Sequence, residues 1–189
     1  LVDLDAPAGT SLGDLSFYLK GSLLDLPEQG VGVGVESGIT LPTASYLSYL
    51  GEAGPAYMSR VLFEYTRERL RLALNLGLLF RDDTMLGSVA VRDEFLAGLG
   101  VRVRVLGDEL FLVGELRSAT ELGSFFGEAD SRYLEADVAF QYLLGTSDLA
   151  FTLGTGAGVL AGPGNPGVRL LAGISWSPPA APPADPCPP

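Results

Sequence analysis

Two carboxylates stand two residues apart in the second half of the chain, at Glu135 and Asp137. In an extended strand, residues i and i+2 share a face, so these side chains are expected to lie side by side. Such a pair can serve as general acid and base, or it can bind a cation. It can also be neutralised by an arginine on a neighbouring strand, and this structural pairing is the interpretation we favour.

Arginines show the same spacing at Arg69 and Arg71 and again at Arg102 and Arg104. On the wall of a pore they would form a ladder for anions. Paired with carboxylates, they would instead brace the sheet. A Gly-x-Gly-x-Gly run occupies Gly154–Gly158, but no helix is predicted after it, as a phosphate-binding loop requires. We interpret these glycines as strand residues that relieve crowding in a curved sheet.

Histidine is absent from the 189 residues. This excludes Ser-His and Cys-His catalysis and histidine-ligated metal sites. The single cysteine, Cys187, lies in a proline-rich tail, so an internal disulfide is excluded as well. A net charge of −11 argues against nucleic acid as a partner. We therefore expect no enzymatic activity, no cofactor and no metal.

Alternation of apolar and polar residues dominates the sequence and is clearest from Arg69 to Arg81. Every even position from Leu70 to Phe80 is apolar, whereas the odd positions are mostly small, polar or cationic. Side chains of a strand alternate between two faces, so this stretch predicts a strand with one hydrocarbon face. In a soluble sandwich that face would form the core. In an outer-membrane barrel it would face lipid, and the polar side would face a lumen.

The same alternation predicts nine strands. Their expected bounds are Asp14–Leu26, Val31–Leu41, Met58–Thr66, Arg69–Arg81, Val89–Leu106, Leu110–Ser118, Arg132–Leu144, Leu149–Leu160 and Val168–Trp176. Soluble strands usually have about five or six residues, whereas a tilted strand needs about nine to eleven to cross a bilayer. The mean hydropathy of +0.30 occurs without any apolar run of about 18 residues, which indicates dispersed strands and no transmembrane helix.

The connections between these strands alternate between short and long. Short turns are expected at Pro27–Gly30, Arg67–Glu68, Gly107–Asp108 and Gly145–Asp148, and longer loops at Pro42–Tyr57, Asp82–Ser88, Ala119–Asp130 and Gly162–Gly167. Outer-membrane barrels have short periplasmic turns and longer extracellular loops. In this orientation the last strand ends on the periplasmic side, where Trp176 is expected as an interfacial aromatic residue.

The charged residues of the strands fall on the face opposite the aliphatic side chains. They are Lys20, Glu36, Arg60, Glu64, Arg69, Arg71, Glu94, Arg102, Arg104, Glu115, Arg117, Glu135, Asp137 and Arg169. An Arg or Lys that faces lipid at the bilayer midplane costs about 2–4 kcal/mol, so these side chains are expected to line the lumen. Both signs are present, which predicts a lumen braced by ion pairs.

Together the patterns predict an all-β, antiparallel, up-and-down transmembrane β-barrel. Residues 1–13 are expected to be a lead-in loop, 14–177 the barrel and 178–189 a proline-rich periplasmic linker. The first of the nine strands begins on the outer side. An odd number of strands is therefore expected before Leu1, which would give a complete barrel of about 10–12 strands.

The tail, Ser177–Pro189, cannot join a sheet because proline lacks the ladder donor. Its Asp-Pro-Cys-Pro motif, Asp185–Pro188, resembles the start of thrombospondin type-3 repeats. The whole segment resembles the N-terminal β-barrel region of OmpA-family outer-membrane proteins of the myxobacterial type. This resemblance implies a bacterial outer-membrane location, contact with lipid and lipopolysaccharide, and peptidoglycan binding only through a domain outside the segment.

The function expected from this resemblance is an outer-membrane barrel that anchors a periplasmic region and acts as a small-solute porin. Two alternatives stay open. One is an uptake channel for small hydrophobic or aromatic compounds. The other is a soluble lipocalin-like ligand-binding barrel, which would show the same alternation with its two faces inverted.

Overall fold

A computed structural model of the chain describes residues 12–44, 51–86, 89–125, 127, 132–145, 149–160 and 167–176. They form strands and one short 3-10 helix, Leu122–Ser124. The strands are β1 (Leu15–Leu26), β2 (Val31–Leu41), β3 (Ala56–Arg67), β4 (Leu70–Phe80), β5 (Thr84–Leu86), β6 (Val89–Val91), β7 (Glu94–Leu106), β8 (Leu110–Glu121), β9 (Arg132–Leu143), β10 (Leu149–Leu160) and β11 (Arg169–Trp176).

Nine long strands form one antiparallel sheet in the order β1-β2-β3-β4-β7-β8-β9-β10-β11. This confirms the predicted all-β class and the up-and-down order. Within the described residues, β1 pairs only with β2 and β11 only with β10, so these strands form an open sheet. The two edge strands run in the same direction, because an even number of antiparallel steps separates them.

The predicted strand Val89–Leu106 is wrong as a single element. Val89–Val91 instead pairs in a separate hairpin with Thr84–Leu86, which was expected to lie in a loop. The sheet strand β7 begins only at Glu94, opposite Leu79. The break lies at Asp93, whose carboxylate accepts a hydrogen bond from the Arg81 N–H at 2.9 Å just after β4 ends.

Other strand ends differ by a few residues. Arg69 lies in a turn and not in β4, and β3 begins at Ala56 instead of Met58. Strand β8 continues through Ala119–Glu121, which was predicted to start a loop. These residues stay in the sheet because they pair with β7, and Ala119 and Thr120 are buried.

Tight turns join the strands at one end of the sheet, which we call the short-turn end. Gly30, Glu68, Gly107 and Gly145 have positive φ there, at 69°, 48°, 56° and 51°. Glycine tolerates this left-handed region, whereas at Glu68 the Cβ crowds the following carbonyl. The longer connections, including the β5–β6 hairpin, leave the opposite end, which we call the long-loop end.

The register separates the side chains of the sheet into two faces. On the polar face, Lys20 lies opposite Glu36, which in turn lies opposite Arg60. On the apolar face, Phe63 lies opposite Leu74, which in turn lies opposite Leu99. We call these two sides the polar face and the apolar face.

Burial on the two faces is the reverse of that in a water-soluble sheet. Phe140 and Leu153 on the apolar face are 56% and 70% exposed, although strands flank them on both sides. Glu135 and Asp137 on the polar face are only 5% and 8% exposed. The buried apolar residues of the described chain are four alanines and Met58. The sheet thus exposes large hydrocarbon side chains and buries two carboxylates.

The sheet curls toward its polar face. A cavity of about 240 Å³ is lined by both Arg60 of β3 and Tyr133 of β9. In a flat sheet these strands, four steps apart, would lie about 19 Å from each other at about 4.8 Å per step. One small cavity could not touch both. A second cavity, of about 470 Å³, lies on the same face over β1–β4.

Candidate functional site

The charged residues singled out from the sequence lie together on the polar face. All of them except Arg69 are in strands of the sheet. The register links them across the ladder: Glu64 and Glu115 share a row with Asp137 and Arg169, and Arg117 lies opposite Glu135. Because the described sheet is open, a lumen on this side stays a prediction.

The densest charge cluster joins β8, β9 and β11. Arg117 forms an ion pair with Asp137, and its Nη2 lies 3.9 Å from Glu135 Oε1. Arg169 Nη1 lies 3.0 Å from the same Glu135 oxygen. Two buried carboxylates therefore face two guanidinium groups, which compensates charge that would otherwise be costly to bury. The predicted pairing of the two carboxylates with an arginine on a neighbouring strand is confirmed.

Glycines on β10 make room for this cluster. Gly156 lies opposite Asp137 on one side and opposite Arg169 on the other. A Cβ added at Gly156 would overlap the Asp137 carboxylate and lie 3.0 Å from the Ala136 carbonyl oxygen. Arg169 can reach across β10 to Glu135 because no side chain stands between them. The Gly-x-Gly-x-Gly run is therefore part of a strand, as predicted, and not a phosphate-binding loop.

A second set of ion pairs joins β2, β3 and β4. Arg60 Nη2 donates to Glu36 Oε1 at 2.9 Å, and Arg71 Nη2 donates to Glu64 Oε2 at 2.6 Å. These pairs are partly exposed, and each contributes at most about 1 kcal/mol. Their effect is to neutralise charge along the polar face, as the mixture of signs predicted.

The predicted arginine ladder is only partly paired. Arg104 forms an ion pair with Asp108, and its Nη2 donates to the Glu68 carbonyl at 2.8 Å. The guanidinium carbon of Arg102 lies 3.6 Å from the centre of the Phe111 ring. In the part of the chain that the structure describes, no carboxylate forms an ion pair with Arg102.

An ion-pair network at the long-loop end was not predicted. Arg81 lies 3.2 Å from Glu52 Oε1 and 2.6 Å from Glu94 Oε2. Arg92 bridges Asp83 and Glu121, and its hydrogen bond to Glu121 is the main cause of a raised Arg92 pKa. Most of these residues are in or beside loops, where alternation carries no information about which side chains meet.

Asp14 ties two connections together at the same end. Its carboxylate accepts hydrogen bonds from the backbone N–H groups of Glu52 at 2.6 Å and Ala44 at 2.9 Å. These bonds lower the pKa of Asp14, and the Glu52 amide has the largest effect. The start of β1 is thereby fastened to both sides of the β2–β3 connection.

Aromatic residues lie near both ends of the sheet. Trp176 ends β11 on the apolar face at the short-turn end and is exposed. At the long-loop end, the Tyr57 hydroxyl lies 2.6 Å from Ser37 Oγ, and the Phe125 ring lies 5.5 Å from that of Phe95. Three further aromatic residues, Tyr46, Tyr49 and Phe126, lie outside the described residues.

The fold defines an all-β protein built on one curled up-and-down sheet. Among the described residues, no group of three or more His, Cys, Asp or Glu side chains is placed to hold a metal ion. No helix in the same residues is long and apolar enough to span a membrane. No protein-family model matches the chain, and no curated protein is significantly similar to it in sequence. The two faces of the sheet are therefore the features that bear on its function.

Proposed function

We propose that this chain forms most of a transmembrane β-barrel in a bacterial outer membrane, where it anchors a periplasmic region and passes small solutes. The observation that carries the proposal is the reversed burial of the two faces, with Phe140 and Leu153 exposed and Glu135 and Asp137 buried. In water, a continuous exposed hydrocarbon face is unfavourable and prone to association. In a bilayer, the same face is solvated by lipid.

The length of the strands supports a bilayer setting. The apolar-face residues of β4 run from Leu70 to Phe80, about 33 Å along a strand at about 3.3 Å per residue. A strand tilted by about 40° projects this length to about 25 Å on the membrane normal. That is the height of the apolar band in outer-membrane barrels.

The distribution of aromatic side chains supports the same placement. Tyr65, Tyr142 and Trp176 lie on the apolar face toward the short-turn end, and Tyr57 and Phe80 toward the long-loop end. Aromatic rings, above all those with a polar atom, are favoured at the level of the lipid headgroups. The short turns then face the periplasm and the longer loops face the outside.

Closure of the proposed barrel needs strands beyond the nine long ones. Strands β1 and β11 run in the same direction, and each has one unpaired edge among the described residues. An antiparallel barrel therefore requires an odd number of further strands between them. One such strand gives a ten-stranded barrel, at the lower end of the range expected from the sequence.

The passage through such a barrel would be narrow. Two cavities on the polar face lie over pairs of glycines, Gly32 with Gly34 and Gly98 with Gly100. The glycines of β10 form a third such row, but the charge cluster around Asp137 fills the space above it. Such an interior is suited to the passage of small polar solutes and not to a large ion current through a wide pore.

Fractionation of the full-length protein tests the membrane assignment. We expect the protein in the outer-membrane fraction, released only by detergent, with a gel mobility that changes on heating. Recovery as a soluble monomer without detergent would overturn the assignment and favour a lipocalin-like protein.

Conductance across planar lipid bilayers tests the passage of solutes. Small conductance steps are expected from the narrow interior. The absence of any conductance would indicate an anchor without an open pore. Large currents that small hydrophobic or aromatic compounds block would instead favour a dedicated uptake channel.

A further inference from the structure

A cationic patch lies on the polar face near the short-turn end, and the stability of the sheet does not explain its presence there. The patch consists of Arg71 on β4 and of Arg102 and Arg104 on β7, next to Phe111 on β8. The register places Arg71 directly opposite Arg102 and Arg104 directly opposite Phe111. Like charges that lie directly opposite each other destabilise a strand pair. The arrangement therefore points to a role other than stability.

Arg102 has no carboxylate partner in the described chain, unlike its two neighbours. Arg71 is neutralised by Glu64 at 2.6 Å, and Arg104 is neutralised by Asp108. The Arg102 Nε is buried and has no hydrogen-bond acceptor among the described residues. The ring of Phe111, 3.6 Å from the guanidinium carbon, holds the group by a cation–π contact. This contact positions the guanidinium but accepts none of its N–H hydrogen bonds.

We propose that Arg102, positioned by Phe111 and facing Arg71, binds a small oxyanion such as a carboxylate or inorganic phosphate. The planar guanidinium fork matches the paired oxygens of both groups. A bound anion beside Arg102 also offsets the repulsion between Arg102 and Arg71. The biological setting rests on the proposed barrel: there the site lies at the periplasmic mouth of the lumen and favours the passage of anions.

Thermal unfolding of the full-length protein in detergent, followed by circular dichroism, tests the site directly. The midpoint is measured in sodium phosphate, sodium acetate and sodium chloride at equal ionic strength. A ligand that binds only the folded protein raises the midpoint, here by roughly 5 °C at about 100 times its Kd. We expect this increase in phosphate or acetate relative to chloride.

Three variants assign the increase to Arg102. Arg102→Gln is expected to abolish it and Phe111→Leu to reduce it. Arg60→Gln, which removes a paired arginine from the same face, is expected to keep it. If Arg102→Gln does not fold, Arg102→Lys retains the charge, loses the fork and is expected to show a smaller increase. An increase that persists in Arg102→Gln, or equal midpoints of the wild type in all three salts, would overturn the site.

The ion selectivity of the conducting protein gives a second readout. The reversal potential in a potassium chloride gradient is expected to show selectivity for chloride. In Arg102→Gln the potential is expected to move toward zero. Different outcomes contradict the proposed barrel and the proposed oxyanion site. A soluble protein that keeps the oxyanion effect contradicts the barrel, whereas a membrane protein without that effect contradicts the site.

Discussion

At the scale of single residues, glycine decides where charge can be buried. Glu135 and Asp137 need Arg117 and Arg169 close by, because a buried carboxylate without a partner is strongly destabilising. The shortest route from Arg169 to Glu135 crosses β10, and only a residue without a side chain leaves that route open. Gly156 is thus as important to the cluster as the charged residues themselves.

A single methyl group at this position tests the argument. Gly156→Ala is expected to destabilise the protein by about 1–3 kcal/mol, because the new Cβ overlaps the Asp137 carboxylate. The matched control is Gly114→Ala, where the space within 4 Å is empty and the change should stay within about 0.5 kcal/mol. Urea unfolding in detergent micelles measures both. Equal effects would show that β10 can accommodate a side chain.

Asp14 predicts a dependence of stability on pH. Its pKa is lowered in the folded protein by the Glu52 and Ala44 amides. The contribution of Asp14 to the stability of the folded protein is therefore fully present above the unfolded pKa of about 3.9. It is lost as the pH falls through the lower folded pKa. The thermal midpoint of the wild type should exceed that of Asp14→Ala at pH 7, and the difference should shrink below about pH 4.

The control for this titration is Asp14→Asn. The amide keeps one oxygen acceptor for the Ala44 or Glu52 N–H but cannot titrate in this range. Its difference from Asp14→Ala should therefore stay constant from pH 7 to pH 3. A wild-type advantage that grows on acidification would contradict the proposed hydrogen bonds.

At the scale of elements, β4 provides neighbouring positions on opposite faces in the middle of one strand. Leu74 lies on the apolar face between Phe63 and Leu99, whereas Asn75 lies on the polar face and lines both cavities. In the proposed barrel, Leu74→Arg places a charge in lipid and should cost about 2–4 kcal/mol. Asn75→Arg places the same side chain in a polar cavity and should cost much less.

Assembly into outer membranes, read from heat-modifiable gel mobility, compares the two arginine variants. We expect Leu74→Arg to accumulate unassembled protein, whereas Asn75→Arg assembles nearly as well as the wild type. Both variants introduce arginine at adjacent positions of one strand, so the strand propensity of the new residue cannot explain a difference between them. Equal assembly would contradict the assignment of lipid and lumen to the two faces.

The turns form a second test at this scale. Glu68 has φ of 48° in the β3–β4 turn, where the equivalent turns carry glycine. Asparagine tolerates the left-handed region better than glutamate does, so Glu68→Asn should stabilise the protein by roughly 0.5–1 kcal/mol. Chemical unfolding in micelles measures the change. Gly107→Glu, which places a glutamate at an equivalent position with positive φ, serves as the control and should destabilise.

At the scale of the whole molecule, the parity of the strands decides how the sheet can close. If β1 and β11 paired directly, they would form a parallel pair. If one strand lay between them, they would be about 9.6 Å apart at about 4.8 Å per step. A disulfide requires Cα atoms within about 7 Å. Disulfide formation between the two edges therefore distinguishes direct from indirect closure.

Engineered cysteines in the full-length protein provide this test. Cys187→Ser removes the one thiol of these 189 residues, and Leu19→Cys is combined in turn with Leu170→Cys, Ala172→Cys and Ile174→Cys. We expect no disulfide in any pair under oxidation, but efficient cross-linking by a bismaleimide of about 10 Å. Rapid disulfide formation in one of these pairs would show that β1 and β11 pair directly.

Much of the fold was predictable because it depends on local geometry. Alternation along the backbone determines which side chains of one strand share a face, as the leucines of β4 illustrate. Short turns between such strands determine that neighbours pair antiparallel. The same rules predicted the pairing of Glu135 and Asp137 with an arginine and the role of the β10 glycines.

The sequence by itself therefore determined the nine long strands of the described sheet, their order and the separation of charge from hydrocarbon. Only the tertiary structure decided that Val89–Val91 leaves the sheet, that Arg169 reaches Glu135 across β10, and that Arg102 is left without a carboxylate while its neighbours are paired. These features depend on register and on contacts between residues far apart in the chain. The alternation of apolar and polar residues is the same whichever residues of two neighbouring strands pair. It therefore predicts the face on which a charged side chain lies but not the residue with which it pairs.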